Sequence, residues 1–227
     1  MDKIGSKKAL EVELSRLEGF HKSKVRAEQY ITPSDIAAEV LWKALLNGDI
    51  KGKVAADLGC GTGILGIGCL LLGARRVFFV ESDSEALEIC RRNIGKIESR
   101  RFNARRAEII EKDISEFDKV SGGAVNTVVM NPPFGTRKRH ADRGFLLKAF
   151  SISDAVYSFH KSSTRDYIEQ LGGKNGFKAE ERFDFRYVLG NTMVHHMKRR
   201  QHIDASCFVF RKHSQAGNDN LSTGEKP

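Results

Sequence analysis

The sequence predicts an α/β fold on a mostly parallel sheet, and three observations carry that prediction. After Gly48, short apolar runs of strand length alternate regularly with longer helical patterns, the order of a parallel sheet covered on both faces. The first strand runs into the glycine-rich turn DLGCGTG before a helix begins. The fourth strand-like run ends in Asn131-Pro132-Pro133-Phe134. Proline has no ladder donor, so the strand stops there and its end must face something other than another strand. A chain of 227 residues suits one such domain, here expected over residues 1–213, with the polar stretch 214–227 as a disordered tail.

The elements follow in order. Leu10, Leu14 and Leu17 have helical spacing over residues 6–19, with Gly19 as a stop. AEQYITPSD reads as a loop, and a second helix starts at Ser34, capped by Ser34 or Thr32 with Pro33 near the first turn. Residues 1–47 are expected to close over the ligand site. Strands are predicted over 54–58, 76–82, 107–113, 126–131 and 155–160, and helices over 64–73, 84–97, 145–153 and 163–172. Two last β-like runs, 181–189 and 204–212, close a seven-stranded sheet as an antiparallel pair.

Composition narrows the function. Four cysteines at 60, 69, 90 and 207 form no CxxC pair and have no histidine at zinc-like spacing, which argues against a disulfide framework or metal site and for reduced cytosolic thiols. The amino-terminal stretch has no signal-peptide core, and GILGIGCLLLGA is too short and glycine-rich to span a bilayer. Net charge is +9, and the excess is clustered. Residues 91–106 hold seven Lys/Arg against Glu98, and 137–148 hold five against Asp142. A third cluster is Lys198-Arg199-Arg200, flanked by histidines. Such clusters suit a polyanion, although a solvated basic surface is the alternative for any one of them. Arg137, Lys138 and Arg139 directly follow the Asn-Pro-Pro-Phe turn.

Three successive strands end in acids: Asp57 before Gly59, Gly61 and Gly63, then Glu81, then Asp113. Each alone reads as a cap or turn residue. Together, beside a glycine loop at the carboxyl edge of the sheet, they read as a nucleoside site, with Glu81 placed for a ribose diol. Dinucleotide sites usually lack the acid ahead of the loop. Asp57 suits a cationic ligand, the amino-acid part of S-adenosylmethionine. The Asn131 side-chain oxygen and the Pro132 carbonyl can both accept from a planar amine such as that of adenine, the prolines stiffen the turn, and Phe134 offers a stacking face.

AEQYITP (27–33), ADLGCGTGIL (56–65), VVMNPPFGT (128–136) and VYSFHKSSTR (156–165) together resemble the methyltransferase-like protein 5 family of small-subunit rRNA adenosine N6-methyltransferases. The resemblance covers about residues 8–211 and implies a class I, Rossmann-like methyltransferase using S-adenosylmethionine. It implies that Gln29 and Thr32 close over the methionine end, that Gly59, Thr62 and Ile64 line the loop, that Glu81 holds the ribose and that Asp113 meets the adenine amine. The residues from Asn131 to Phe134 would form the catalytic pocket. Glu81 departs from the aspartate common in that family. His160, Lys161 and Arg165, near the end of the fifth strand, are expected to contact RNA backbone, with a buried structural role as the alternative for His160. The family also implies a small zinc-containing activator protein that adds a strand at an open sheet edge, for which AEIIEKD is the candidate. The alternatives are a glutamine N5-methyltransferase of release factors, a DNA adenine methyltransferase and a non-catalytic RNA-binding module. The first lacks support from the basic clusters and from HKSSTR, the second from any duplex-recognition domain, and the third from the intact loop and Asn-Pro-Pro-Phe.

Overall fold

The structure is a computed structural model that describes residues 4–20, 32–101, 103–117, 124–133, 141–188 and 202–213. Expectations about Gln29, Phe134, Arg137, Lys138, Arg139, the 198–200 cluster and the tail lie outside these residues.

Two helices, α1 (Lys7–Leu14) and α2 (Ser34–Leu46), precede the alternation. Ser6 caps α1, its hydroxyl accepting from the Ala9 N–H at 3.1 Å. The leucine periodicity overextends this helix: it ends at Leu14, with Ser15 as C-cap. Neither Ser34 nor Thr32 caps α2. Pro33 holds the cap position and no side chain bonds there.

The strands are β1 (Val54–Leu58), β2 (Arg76–Glu81), β3 (Ala107–Glu111), β4 (Thr127–Met130), β5 (Ala155–Lys161), β6 (Phe177–Val188) and β7 (His202–Lys212). Helices α3 (Ile64–Leu71), α4 (Ser84–Arg101), α5 (Ala141–Ile152) and α6 (Arg165–Lys174) connect them, α5 starting four residues before its apolar run. The sheet order is β3-β2-β1-β4-β5-β7-β6. Strands β1 to β5 pair in parallel, and β7 runs antiparallel between β5 and β6. β1 and β4 are buried along their whole length, as central parallel strands covered on both faces must be. One face packs Ala55, Phe79, Val129 and Tyr157 against α1 to α4, and the other packs Ala56, Phe78, Met130 and Val156 against α5 and α6. β3 is an edge strand, half-buried over residues 107–110. Among the described residues no helix is long and apolar enough to cross a membrane. All four cysteines are free and buried.

A polar clamp ties the antiparallel end to the parallel half. Asp49, 7% exposed, accepts both arms of the Arg211 guanidinium at 2.5 Å and the Tyr157 hydroxyl at 2.5 Å. Arg211→Ala strands that carboxylate. Because Arg211 is partly exposed, the expected loss is about 2–3 kcal/mol rather than the full cost of breaking a buried pair, read as a shifted urea midpoint with unchanged slope.

Candidate active site

The chain leaves β1 for β2 on one side and returns as β4 on the other, so the sheet has its switch point between β1 and β4. Asp57 pairs with Val129 in register, which sets Gly59 and Asn131 side by side, two residues further on at the carboxyl edge. The glycine loop and the Asn-Pro-Pro turn therefore meet there, because both strands stop at the same level.

Gly59, Gly61 and Gly63 have φ of 67°, 54° and 89°, the left-handed region open chiefly to glycine. Space demands glycine as well. A Cβ on Gly59 would lie 2.8 Å from Cε1 of Phe145, and one on Gly63 would lie 2.6 Å from the Cys90 sulfur. Above Gly61 stands Phe20, 3.4 Å from where a Cβ would be. The loop thus presents bare backbone packed closely by the Phe145 and Phe20 rings, with no side chain of its own to keep a ligand from the main chain.

Asp57 is 1% exposed, and its Oδ2 accepts from the Gly66 N–H at 2.7 Å, fastening β1 to the first turn of α3. Burial pushes its carboxyl up to about 7; the Gly66 N–H opposes this and the nearby Glu81 charge adds to it. Glu81 accepts from the Gly61 N–H through Oε2 (3.0 Å) and from Ser82 and Asp83 through Oε1 (2.8 and 3.0 Å). With one donor on Oε2, that oxygen keeps a lone pair for a hydroxyl. Asp113 caps the short turn Ile114–Glu116, its Oδ1 accepting from the Ser115 N–H at 2.9 Å. Thr62 is buried, and Ile64 opens α3 half-exposed to the loop.

Thr32, expected at the donor's methionine end, is buried beside Asn131. Its hydroxyl accepts from the Asn131 side-chain N–H at 2.9 Å, so the catalytic candidate is oriented by the N-terminal segment and its Oδ1 turned away from that bond. Pro132 is buried, and Pro133 half-buried.

The expectation that His160 touches RNA is corrected. The ring is fully buried, its Nε2 lies 2.6 Å from the Ser158 hydroxyl and its Nδ1 lies 3.4 Å from Asp142 Oδ2. Burial holds it below the usual imidazole range, so it is neutral there. Lys161 stays half-exposed at the end of β5. Arg165 is at the surface, bonded to Glu169 at 2.9 Å.

The sequence reading missed Asn93, which is fully buried on α4. Its Oδ1 accepts from the Glu18 N–H (2.8 Å), while its Nδ2 donates to the carbonyls of Glu18 (2.9 Å) and Thr62 (3.0 Å). One amide therefore ties the segment after α1 to the glycine loop. A signal existed: Asn93 falls on the apolar stripe of Cys90, Ile94 and Ile97. Asn93→Ala leaves buried backbone groups unpaired and is expected to cost about 2 kcal/mol in urea unfolding, with weaker donor binding because Phe20 loses its anchor.

A sheet of this order with a glycine loop and an Asn-Pro-Pro turn at its switch point defines a class I methyltransferase, and the methyltransferase small domain model matches residues 31–152. The chain is 34% identical to the rRNA N(6)-adenosine-methyltransferase Mettl5 of Drosophila melanogaster over 88% of its length and 94% of that protein's. It is 34% identical to METTL5 of Danio rerio, over 89% and 97%. A crystal structure from Pyrococcus horikoshii, assigned provisionally to the RNA methyltransferases, superposes with a TM-score of 0.79 at 42% identity, covering 91% of this chain and 98% of that one. The chain belongs to the Mettl5 family of methyltransferases.

Proposed function

We propose that the chain transfers the methyl group of S-adenosylmethionine to N6 of an adenosine in small-subunit rRNA, in the cytoplasm. The observation that carries this reading is the placement of Asn131, oriented by Thr32, beside Gly59 at the switch point. The names of the relatives support the substrate class. When bound, the donor supplies an electrophilic methyl group on a sulfonium sulfur. Asp57 faces the amino-acid end electrostatically, the backbone of Gly59 to Gly63 and Ile64 bears the donor, Glu81 takes the ribose through Oε2, and Asp113 meets the adenine. Gln29 would close the methionine end.

The target amine has its lone pair delocalised into the ring. Asn131 Oδ1 and the Pro132 carbonyl accept from its two N–H groups, which holds the nitrogen in line and favours pyramidalisation. Phe134 follows directly and offers the base a stacking face worth about 1–3 kcal/mol. No side chain need act as a general base, since the amine sheds its proton to water after transfer. The base must leave its stack to reach this turn. Lys161 and Arg165, with Arg137, Lys138 and Arg139, would hold the flanking phosphates. The edge strand β3 would take the activator by strand addition.

Labelled S-adenosylmethionine with unmodified small subunits, followed by nucleoside analysis, tests this. Labelled N6-methyladenosine supports the reading. Label in protein, or none with or without an activator, overturns it.

A further inference from the structure

The first basic cluster divides once folded. Arg92 and Lys96 pair with Glu18, Arg91 pairs with Glu88, and Arg106 donates to the Ala74 and Leu70 carbonyls, capping α3. Arg105 makes no such bond to an acid among the described residues, and neither does Arg75. These two line a depression of about 380 Å³ together with Val54 and Arg76. Arg76 leans over the Phe78 ring at 4.9 Å and pairs with Glu108, while its Nε is buried with no acceptor. Exposed Lys51 and Lys53 are close in the chain, with the Arg75 N–H donating to the Lys53 carbonyl at 2.7 Å.

Val54 and Arg76 open β1 and β2 as register partners, so this depression lies at the amino end of the sheet, away from Asn131. The length of β1 alone, about 13 Å at 3.3 Å per residue, separates the two. We propose that the Arg75–Arg76–Arg105 depression is a second docking site for RNA, taking backbone phosphates of the same substrate remote from the target adenosine. Guanidinium forks match phosphate oxygens bidentately, and a phosphate would supply the acceptors that the exposed Arg75 and Arg105 lack. An RNA that fills both sites must run several nucleotides beyond the target adenosine. The site therefore favours a long RNA over a short oligonucleotide that carries only the target adenosine. This rests on the reading of the chain as an RNA methyltransferase.

The test compares wild type, the double variant Arg75→Ala/Arg105→Ala and a charge-matched control, Lys174→Ala/Lys178→Ala, at the far side of the sheet. Removing two phosphate contacts is expected to lower the slope of log binding constant for small-subunit rRNA against log salt by about 1.5. KM for rRNA should rise about tenfold with kcat unchanged, while KM for a short single-stranded adenosine oligonucleotide stays the same. The control should match wild type. Equal slopes for double variant and control would overturn the proposal, as would an equal KM rise on the oligonucleotide. Displacement of rRNA by poly-glutamate from wild type but not from the double variant would reassign the site to an acidic protein. Failure of wild type to methylate rRNA that it still binds with the steeper slope would count against the catalytic reading alone; no salt-dependent binding by wild type would sink both.

Discussion

Asn131→Ala is expected to lower kcat for methyl transfer by at least about 10²-fold while leaving the donor dissociation constant within about twofold of wild type. The amide is half-buried at the end of β4, its nitrogen committed to the Thr32 hydroxyl at 2.9 Å, so its oxygen is a preoriented acceptor. Alanine removes that acceptor without touching the glycine loop, whose bonds run among Gly61, Glu81, Gly66 and Asp57. Single-turnover kinetics with calorimetric donor titration separates the outcomes. A parallel fall in donor affinity would assign Asn131 to the donor instead. Thr32→Val should give a smaller kcat loss of the same kind, since it frees the amide to rotate but leaves it in place.

Asp57→Asn is expected to stabilise the protein and weaken its donor binding. Burial raises the Asp57 carboxyl to about 7, above its unfolded value near 3.8, so the folded state holds the proton more tightly than the unfolded one. The sign is therefore opposite to that of a salt-bridged aspartate. The Asp57 contribution to stability is greatest below about pH 4, declines as pH rises from about 4 to 7, and then levels. At about 1.4 kcal/mol per pH unit, the decline could reach roughly 4 kcal/mol. Asparagine keeps an oxygen for the Gly66 N–H but carries no charge, so the decline should flatten and the melting temperature at pH 8 should rise. The ammonium end of the donor loses its counter-charge, and affinity should fall at least about tenfold. That pairing of a gain in stability with a loss in binding is what a carboxylate kept for function predicts. A destabilised Asp57→Asn protein at pH 8 would show instead that the ionised carboxylate holds the loop together.

Much of this was legible locally. The strands ending at Leu58, Glu81 and Met130, the positive-φ glycines at 59, 61 and 63, and the halt at Pro132-Pro133 depend on short-range sterics and periodicity that neighbouring residues carry themselves. The order of acids and glycines along the strands was likewise enough to indicate the carboxyl edge as the site. Folding decided what depends on residues far apart in the chain. Thr32 reaches Asn131 across 99 positions and Asn93 holds Glu18 across 75, contacts that no local pattern specifies. β7 slots between β5 and β6, and the same packing buries His160, whose polar ring had suggested a surface role. The basic residues make the point most sharply. A lysine or arginine adds the same charge to the sequence wherever it lies, but only the folded chain brings Glu18 to Arg92 and Lys96 and leaves Arg75 and Arg105 facing a depression without an acid partner of their own among the described residues.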